Sequence, residues 1–155
     1  MEPLKNMEGT TTHIQLACFN LGDTLFGVDI MRIREILVPP PLSSLPAGSA
    51  TLEGVINLRG AVIPVLNLRS FFKMPSEGRD TGGKLLIVSL VKQMLALAVD
   101  DVLEVITVPV AEMLPPIHTV AGIGMEYVLG VTLSQNRVCM ILDIDSLLTR
   151  PGVVA

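Results

Sequence analysis

Apolar and polar residues along this chain alternate in short blocks, and the clearest block runs from Gly54 to Phe72, GVINLRGAVIPVLNLRSFF. Val55 and Ile56 end one predicted strand, and Ala61, Val62, Ile63, Val65 and Leu66 form the next. Asn57, Leu58, Arg59 and Gly60 make the turn between them, with Gly60 free to take a positive φ. Pro64 has no amide hydrogen to give a ladder, which predicts an edge or bulged strand. Leu68, Phe71 and Phe72 then predict one short amphipathic helical turn.

The same pattern returns between Gly130 and Leu148, GVTLSQNRVCMILDIDSLL, at an offset of 76. Gly54 meets Gly130, Val62 meets Val138, Leu66 meets Leu142 and Ser70 meets Ser146. A second pair lies upstream: Leu25-Phe26-Gly27-Val28-Asp29 matches Ala96-Leu97-Ala98-Val99-Asp100, and Ile33-Arg34-Glu35-Ile36 matches Val102-Leu103-Glu104-Val105. Both pairs occur in the same order, which predicts an internal duplication of about 70 residues. The copies differ at the turn, Asn57-Leu58-Arg59-Gly60 against Leu133-Ser134-Gln135-Asn136. Shared apolar positions read as fold, so the unshared turn is the first place to look for function.

The remaining blocks fit that frame. His13 to Leu21 and Leu25 to Val28 are strands around a Gly22-Asp23-Thr24 turn. Asp29 is placed to cap a helical turn to Arg32, and Arg34 to Val38 is a strand. Lys84 to Leu90, Met94 to Val99, Val102 to Val108, Tyr127 to Leu133 and Arg137 to Leu142 supply the rest, and Asp143 is placed to cap a final helix burying Ile144, Leu147 and Leu148. Pro39 to Ala50 and Ala111 to Met125 are irregular connections, and Met74 to Gly83 is the linker between copies. Many short strands in two copies predict an all-β protein of two small SH3-like barrels with short helices. Subdomain one is expected at about 13–80 and subdomain two at about 81–150, with tails at 1–12 and 151–155; exchange of an end strand between the barrels stays open.

Composition narrows the function classes. Half of the 155 residues are apolar, 17% are charged, and the formal net charge is -4 with no basic block. With one Tyr, four Phe and no Trp, the chain has neither the charge nor the stacking surface for nucleic acid. The longest uncharged run, Ile36 to Leu52, is broken by Pro39, Pro40, Pro41 and Pro46 and does not insert in a membrane, and the first residues lack an apolar signal core. Cys18 and Cys139 sit in apolar strand patterns and read as buried free thiols rather than a pair, as in a cytosolic, reduced protein. The apolar excess leaves some surface for partners, including weak self-association.

Little points to catalysis. His13 and His118 have no ligand-spaced Cys, His or carboxylate, so no metal is expected. Asp100 and Asp101 with Glu104 read as a turn or helix cap rather than a carboxylate site. Gly122-Ile123-Gly124 lacks the third glycine of a dinucleotide fingerprint, since Tyr127 stands there, so no cofactor is expected. Met94, Met125 and Met140 read as core. Arg59 is either a solvated hairpin tip or an anchor whose fork of donors suits a partner's carboxylate or carbonyl oxygens. Glu35 is either a solvated strand residue beside Arg32 and Arg34 or an exposed acid on an interaction edge.

These residues resemble the CheW family of chemotaxis coupling proteins. The matching segments are Phe26-Gly27-Val28-Asp29-Ile30, Arg34-Glu35-Ile36, Gly54 to Gly60 with Ile63-Pro64-Val65 and Leu68-Arg69, Ala98 to Val102 with Glu104-Val105, and Leu142-Asp143 with Leu147-Leu148. The resemblance implies two five-stranded barrels with a groove between them, and a non-catalytic adaptor without cofactors. Its implied partners are the regulatory domain of the histidine kinase CheA and the cytoplasmic tip of chemoreceptors, met at membrane-associated arrays. It places Ile33, Glu35 and Ile36 on a partner-contacting edge, and Gly54, Asn57, Leu58, Arg59 and Gly60 on a receptor- and kinase-coupling segment. Val105 falls where the second barrel faces the groove. The same adaptor in a gliding or twitching motility pathway is the alternative. Asn67 departs from the acid the family often carries there.

Overall fold

Four antiparallel hairpins and two lone strands make up the sheets of the computed structural model, which describes residues 12–43, 52–74, 83–116 and 125–149. The strands are β1 (His13–Leu21), β2 (Thr24–Asp29), β3 (Ile33–Leu37), β4 (Leu52–Leu58), β5 (Ala61–Asn67), β6 (Lys84–Ser89), β7 (Met94–Val99), β8 (Asp101–Pro109), β9 (Val128–Ser134) and β10 (Arg137–Leu142). One α-helix, α1 (Leu68–Phe71), follows β5. A 3-10 turn, Ile30–Arg32, follows β2, and the Asp29 carboxylate caps it by accepting the Met31 amide N–H at 2.9 Å, as the sequence predicts. The final helix is also 3-10, Ile144–Thr149, with Ile144 and Leu147 buried. Its front is held by the Asp143 carbonyl, which accepts from the Ser146 amide at 3.1 Å and hydroxyl at 2.7 Å.

The strands sort into two five-stranded sheets, β8-β1-β2-β10-β9 and β3-β6-β7-β5-β4. Set against the repeat, each sheet takes the first hairpin of one copy and the last three strands of the other. The halves have exchanged whole hairpins, β1–β2 for β6–β7, so the strands are not grouped by a division near residue 80. Local pairing makes each hairpin, but two parallel junctions seat it in the other copy: Cys139 to Ile141 beside Leu25 to Gly27, and Val65 to Asn67 beside Ala96 to Ala98. Each sheet is an SH3-like subdomain whose end strands are not hydrogen-bonded to each other. The expected linker and tails lie almost wholly outside the described residues, as do His118 and Gly122-Ile123-Gly124.

Pro64 does not lie on an edge strand, because β5 pairs with β4 on one side and β7 on the other. Opposite Pro64, Val55 spends both backbone groups on Ser43 at 2.9 Å each. Pro64 therefore owes β4 no hydrogen bond, and pairing to β7 begins only at Val65. The missing donor costs nothing at this position.

The largest apolar cluster forms the seam between the sheets. Phe19, Leu21, Phe26, Val28, Met140 and Leu142 come from one sheet, and Leu66, Leu86, Val88, Leu95, Leu97 and Val99 from the other. Phe71 and Phe72, at and beyond the end of α1, join the same cluster. Phe26 stacks between Phe19 at 5.4 Å and Phe72 at 5.6 Å, and Tyr127 meets Phe71 edge-on at 5.0 Å. A smaller cluster around Ile56, Ile63, Val65, Leu85 and Ile87 fills the second sheet, with Met94 partly buried against it. Cys18 and Cys139 are buried free thiols in the first sheet, and contact with Cys18, together with burial, keeps Cys139 protonated.

Candidate functional site

The β4–β5 turn is tighter than its sequence suggests. Asn57 and Leu58 pair with Val62 and Ala61 as strand residues, leaving Arg59 and Gly60 alone at the tip. Both take positive φ, 50° and 89°, the signature of a two-residue turn that matches the twist of its strands. The Asn57 carbonyl oxygen Oδ1 accepts the Gly60 amide N–H at 2.9 Å and closes the loop. The second copy makes the same turn with Gln135 and Asn136 at φ 51° and 65°. The copies thus share the backbone and differ in what they present: a guanidinium in one, an amide in the other.

That guanidinium is not loose. Arg59 Nη2 donates to Glu35 Oε1 across the sheet, joining the hairpin tip to the edge strand β3. The Arg59 side chain stays 71% exposed while Glu35 is 30% exposed, so the cation faces outward from an anchored position. The hydrogen bond to Glu35, followed by its charge, holds Arg59 still more firmly protonated. The pair rims a hollow of about 260 Å³ lined by Arg34, Glu35, Leu58, Arg59, Ile87 and Met94. Ile36 on β3 and Val62 on β5 are exposed and do not line it.

The structure distributes the other candidates unevenly. Ile33 is half-buried against the seam, and a register shift between Ile33 and Glu35 bulges β3 at Arg34. Gly54 is buried at the start of β4, with the Ser43 carbonyl oxygen 2.4 Å from where a Cβ would stand, so it presents nothing outward. Asn57 and Gly60 are exposed at the turn. Val105 is exposed on β8, an end strand of the other sheet from the one that carries Glu35. Asn67 caps α1 by accepting the Ser70 amide at 3.1 Å and donates to Glu53 Oε2 at 2.7 Å, a second bond that an aspartate could not give.

Two charged contacts had no partner assigned from sequence. Arg69 on α1 grips Asp100 with Nε at 2.9 Å and Nη2 at 2.5 Å, and Asp100 also accepts the Gly22 amide at 2.7 Å. Arg32 donates to both Asp145 oxygens, at 2.7 and 3.2 Å, and to the Ser89 carbonyl at 3.1 Å. The repeat offered the one available signal, since Arg69 and Asp145 occupy matched positions with opposite charge.

The Arg32 hydrogen bonds hold the Asp145 carboxyl below the usual carboxylate range. A carboxyl depressed in the folded state adds stability above its unfolded pKa and loses it as pH falls through the folded one. Asp145 is 56% exposed, so screening limits the contribution to below about 1 kcal/mol. Urea midpoints of the parent and Asp145→Asn should therefore differ slightly at neutral pH and converge in acid.

Among the described residues, no group of three or more His, Cys, Asp or Glu converges to hold a metal ion, and no helix is long and apolar enough to cross a membrane. The arrangement offers an anchored cation, an edge strand and exposed apolar residues on the same strands, which suits gripping another protein.

Comparison with known proteins gives one consistent result. The CheW-like domain model matches residues 15–152. "Chemotaxis protein CheW" of Treponema pallidum is 32% identical over 137 residues, covering 86% of this chain and 81% of that protein. "Protein FrzA" of Myxococcus xanthus is 34% identical over 121 residues, covering 77% of this chain and 74% of its own. Among solved structures, the scaffolding protein TtCheW of Thermoanaerobacter tengcongensis superposes with a TM-score of 0.84 at 27% identity, covering 94% of each chain.

Proposed function

Because the chain belongs to the CheW-like domain family, we propose that it is a non-catalytic adaptor coupling the cytoplasmic tips of chemoreceptors to the regulatory domain of the histidine kinase CheA. The observation that carries this reading is Arg59, held outward at a hairpin tip by Glu35 of an edge strand. An anchored guanidinium loses little freedom when a partner's carboxylate or carbonyl oxygens meet it, and it is specific for their geometry. Ile36 on the same edge strand as Glu35 and Val62 on the same hairpin as Arg59 are exposed and can add contact area. The β3 edge can also accept a partner strand or a similar barrel. Contacts of this kind work when individually weak, because an array engages many at once. The protein would act in the cytoplasm, at membrane-associated receptor arrays.

Arg59→Glu tests the reading. The tip is solvent-exposed, so the melting temperature should stay within about 3 °C. The reversed charge should weaken binding to a receptor cytoplasmic fragment or the kinase regulatory domain by roughly tenfold in calorimetry. Unchanged affinity for both would count against the adaptor. The likeness to FrzA keeps a second setting in view, the same adaptor in a surface-motility pathway. The identity of the kinase captured from native cytosol decides between the two.

A further inference from the structure

The chain passes from one sheet to the other twice, between β2 and β3 and between β7 and β8. An ion pair pins each passage. Arg32, at the first, grips Asp145 of the 3-10 helix after β10. Asp100, at the second, is gripped by Arg69 of the helix after β5. One member of each pin, Arg69 and Asp145, sits at a matched position of the duplication with opposite charge, whereas Asp100 matches Asp29 and not Arg32.

The passages lead directly into two outer strands, which carry residues that the family resemblance puts at partner contacts. Arg32 precedes β3, which carries Glu35 and Ile36, and Asp100 precedes β8, which carries Val105. A rotation at either pin therefore tilts an edge strand. The pins also differ in durability. The Arg32 and Asp145 side chains are 31% and 56% exposed, whereas those of Arg69 and Asp100 are 9% and 17% exposed. The Asp100 carboxylate is held from two elements, by Nε and Nη2 of Arg69 and by Gly22 of the β1–β2 turn, and its amide donates to the Asn20 carbonyl at 3.1 Å. A planar two-point contact fixes rotation as well as distance, which a single ammonium would not do.

We propose that Arg69 and Asp100 are positioning residues: they set the angle between the β3 and β8 edges so that two partners can be held at once. The inference rests on the adaptor reading and goes beyond it, because neither residue is required to touch a partner. It predicts a split between binary and ternary binding. In Arg69→Gln, the affinity for receptor fragment alone and for kinase regulatory domain alone stays at the parent value. Retention of the kinase domain by receptor-bound protein falls roughly tenfold. Nitroxides at exposed Lys92 and Thr107, one on each subdomain, report the cause: their distance distribution broadens in Arg69→Gln.

Parent-like ternary retention in Arg69→Gln overturns the proposal, as does an unchanged distance distribution. Equal losses in binary and ternary binding also overturn it, because they mark a merely structural role. If Arg69→Gln does not fold, Arg69→Lys keeps the charge and stem, removes the fork and is read by the same criteria. Failure of the adaptor reading looks different: the parent protein itself binds neither partner.

Discussion

Phe26→Ala should cost about 4 kcal/mol of stability and melt both subdomains in one transition. Phe26 is fully buried, with its ring between those of Phe19 and Phe72. Phe19 lies on the neighbouring strand of the same hairpin, whereas Phe72 follows the helix appended to the other sheet. Truncation empties a space lined by both sheets, so the cavity belongs to neither alone. The exchanged hairpins reinforce this, since each sheet borrows two strands from the opposite half of the chain. Urea unfolding followed by far-ultraviolet dichroism and by Tyr127 fluorescence should give coincident curves for parent and variant, with the variant's midpoint lowered. Two separate transitions, or a loss well below 2 kcal/mol, would contradict the single shared seam.

The seam explains which parts of the fold were legible in the sequence. Hairpins are local, and the apolar blocks around Gly22-Asp23, Arg59-Gly60, Val91 to Gln93 and Gln135-Asn136 announced all four. The offset between Gly54 and Gly130 announced the duplication. Which hairpin joins which copy depends on the parallel junctions, Cys139 beside Leu25 and Val65 beside Ala96. Nothing local distinguishes those from the unexchanged pairing, because the two copies offer similar apolar strands. Pro64 misled for a related reason. A missing amide hydrogen matters only on a side that has a partner, and that side is fixed by the distant Ser43 bridge to Val55.

Site residues divide the same way. Arg59 and Glu35 each stood out singly, one as the charge on an apolar hairpin and the other as a strand acid beside Arg32 and Arg34. Their ion pair spans 24 residues and required the sheet to bring it together. Arg69 and Asp100 are 31 residues apart in sequence, and each looked ordinary: a helix residue and a turn residue. Only the fold turns the charges at Arg69 and Asp145, opposite in sign at matched positions, into two pins across one seam. Sequence pattern thus marks where charge is exposed, while topology decides what that charge holds.

Gly54→Ala should destabilise the protein by about 3 kcal/mol, more than Gly60→Ala, although both glycines fall in the segment implied to couple partners. Gly54 has φ 156°, at the limit of the region that side chains avoid, and its added Cβ would stand 2.4 Å from the Ser43 carbonyl oxygen. That oxygen cannot yield freely. It accepts the Val55 amide at 2.9 Å, and Ser43 donates back to Val55 at 2.9 Å. The second copy repeats the device, with Gly130 against the Leu114 carbonyl and Leu114 bridged to Val131. Gly60 has φ 89° but nothing within 4 Å of its would-be Cβ, so alanine there meets backbone strain alone, about 1 to 2 kcal/mol. Urea midpoints should rank parent above Gly60→Ala above Gly54→Ala. Receptor and kinase binding should respond in a different way: Gly54→Ala, held well below its melting temperature, should bind like the parent, because its side-chain position is covered by Leu42 and Ser43. If Gly54→Ala instead keeps full stability and loses binding, Gly54 is a contact residue, and the Ser43 bridge is not what requires glycine there.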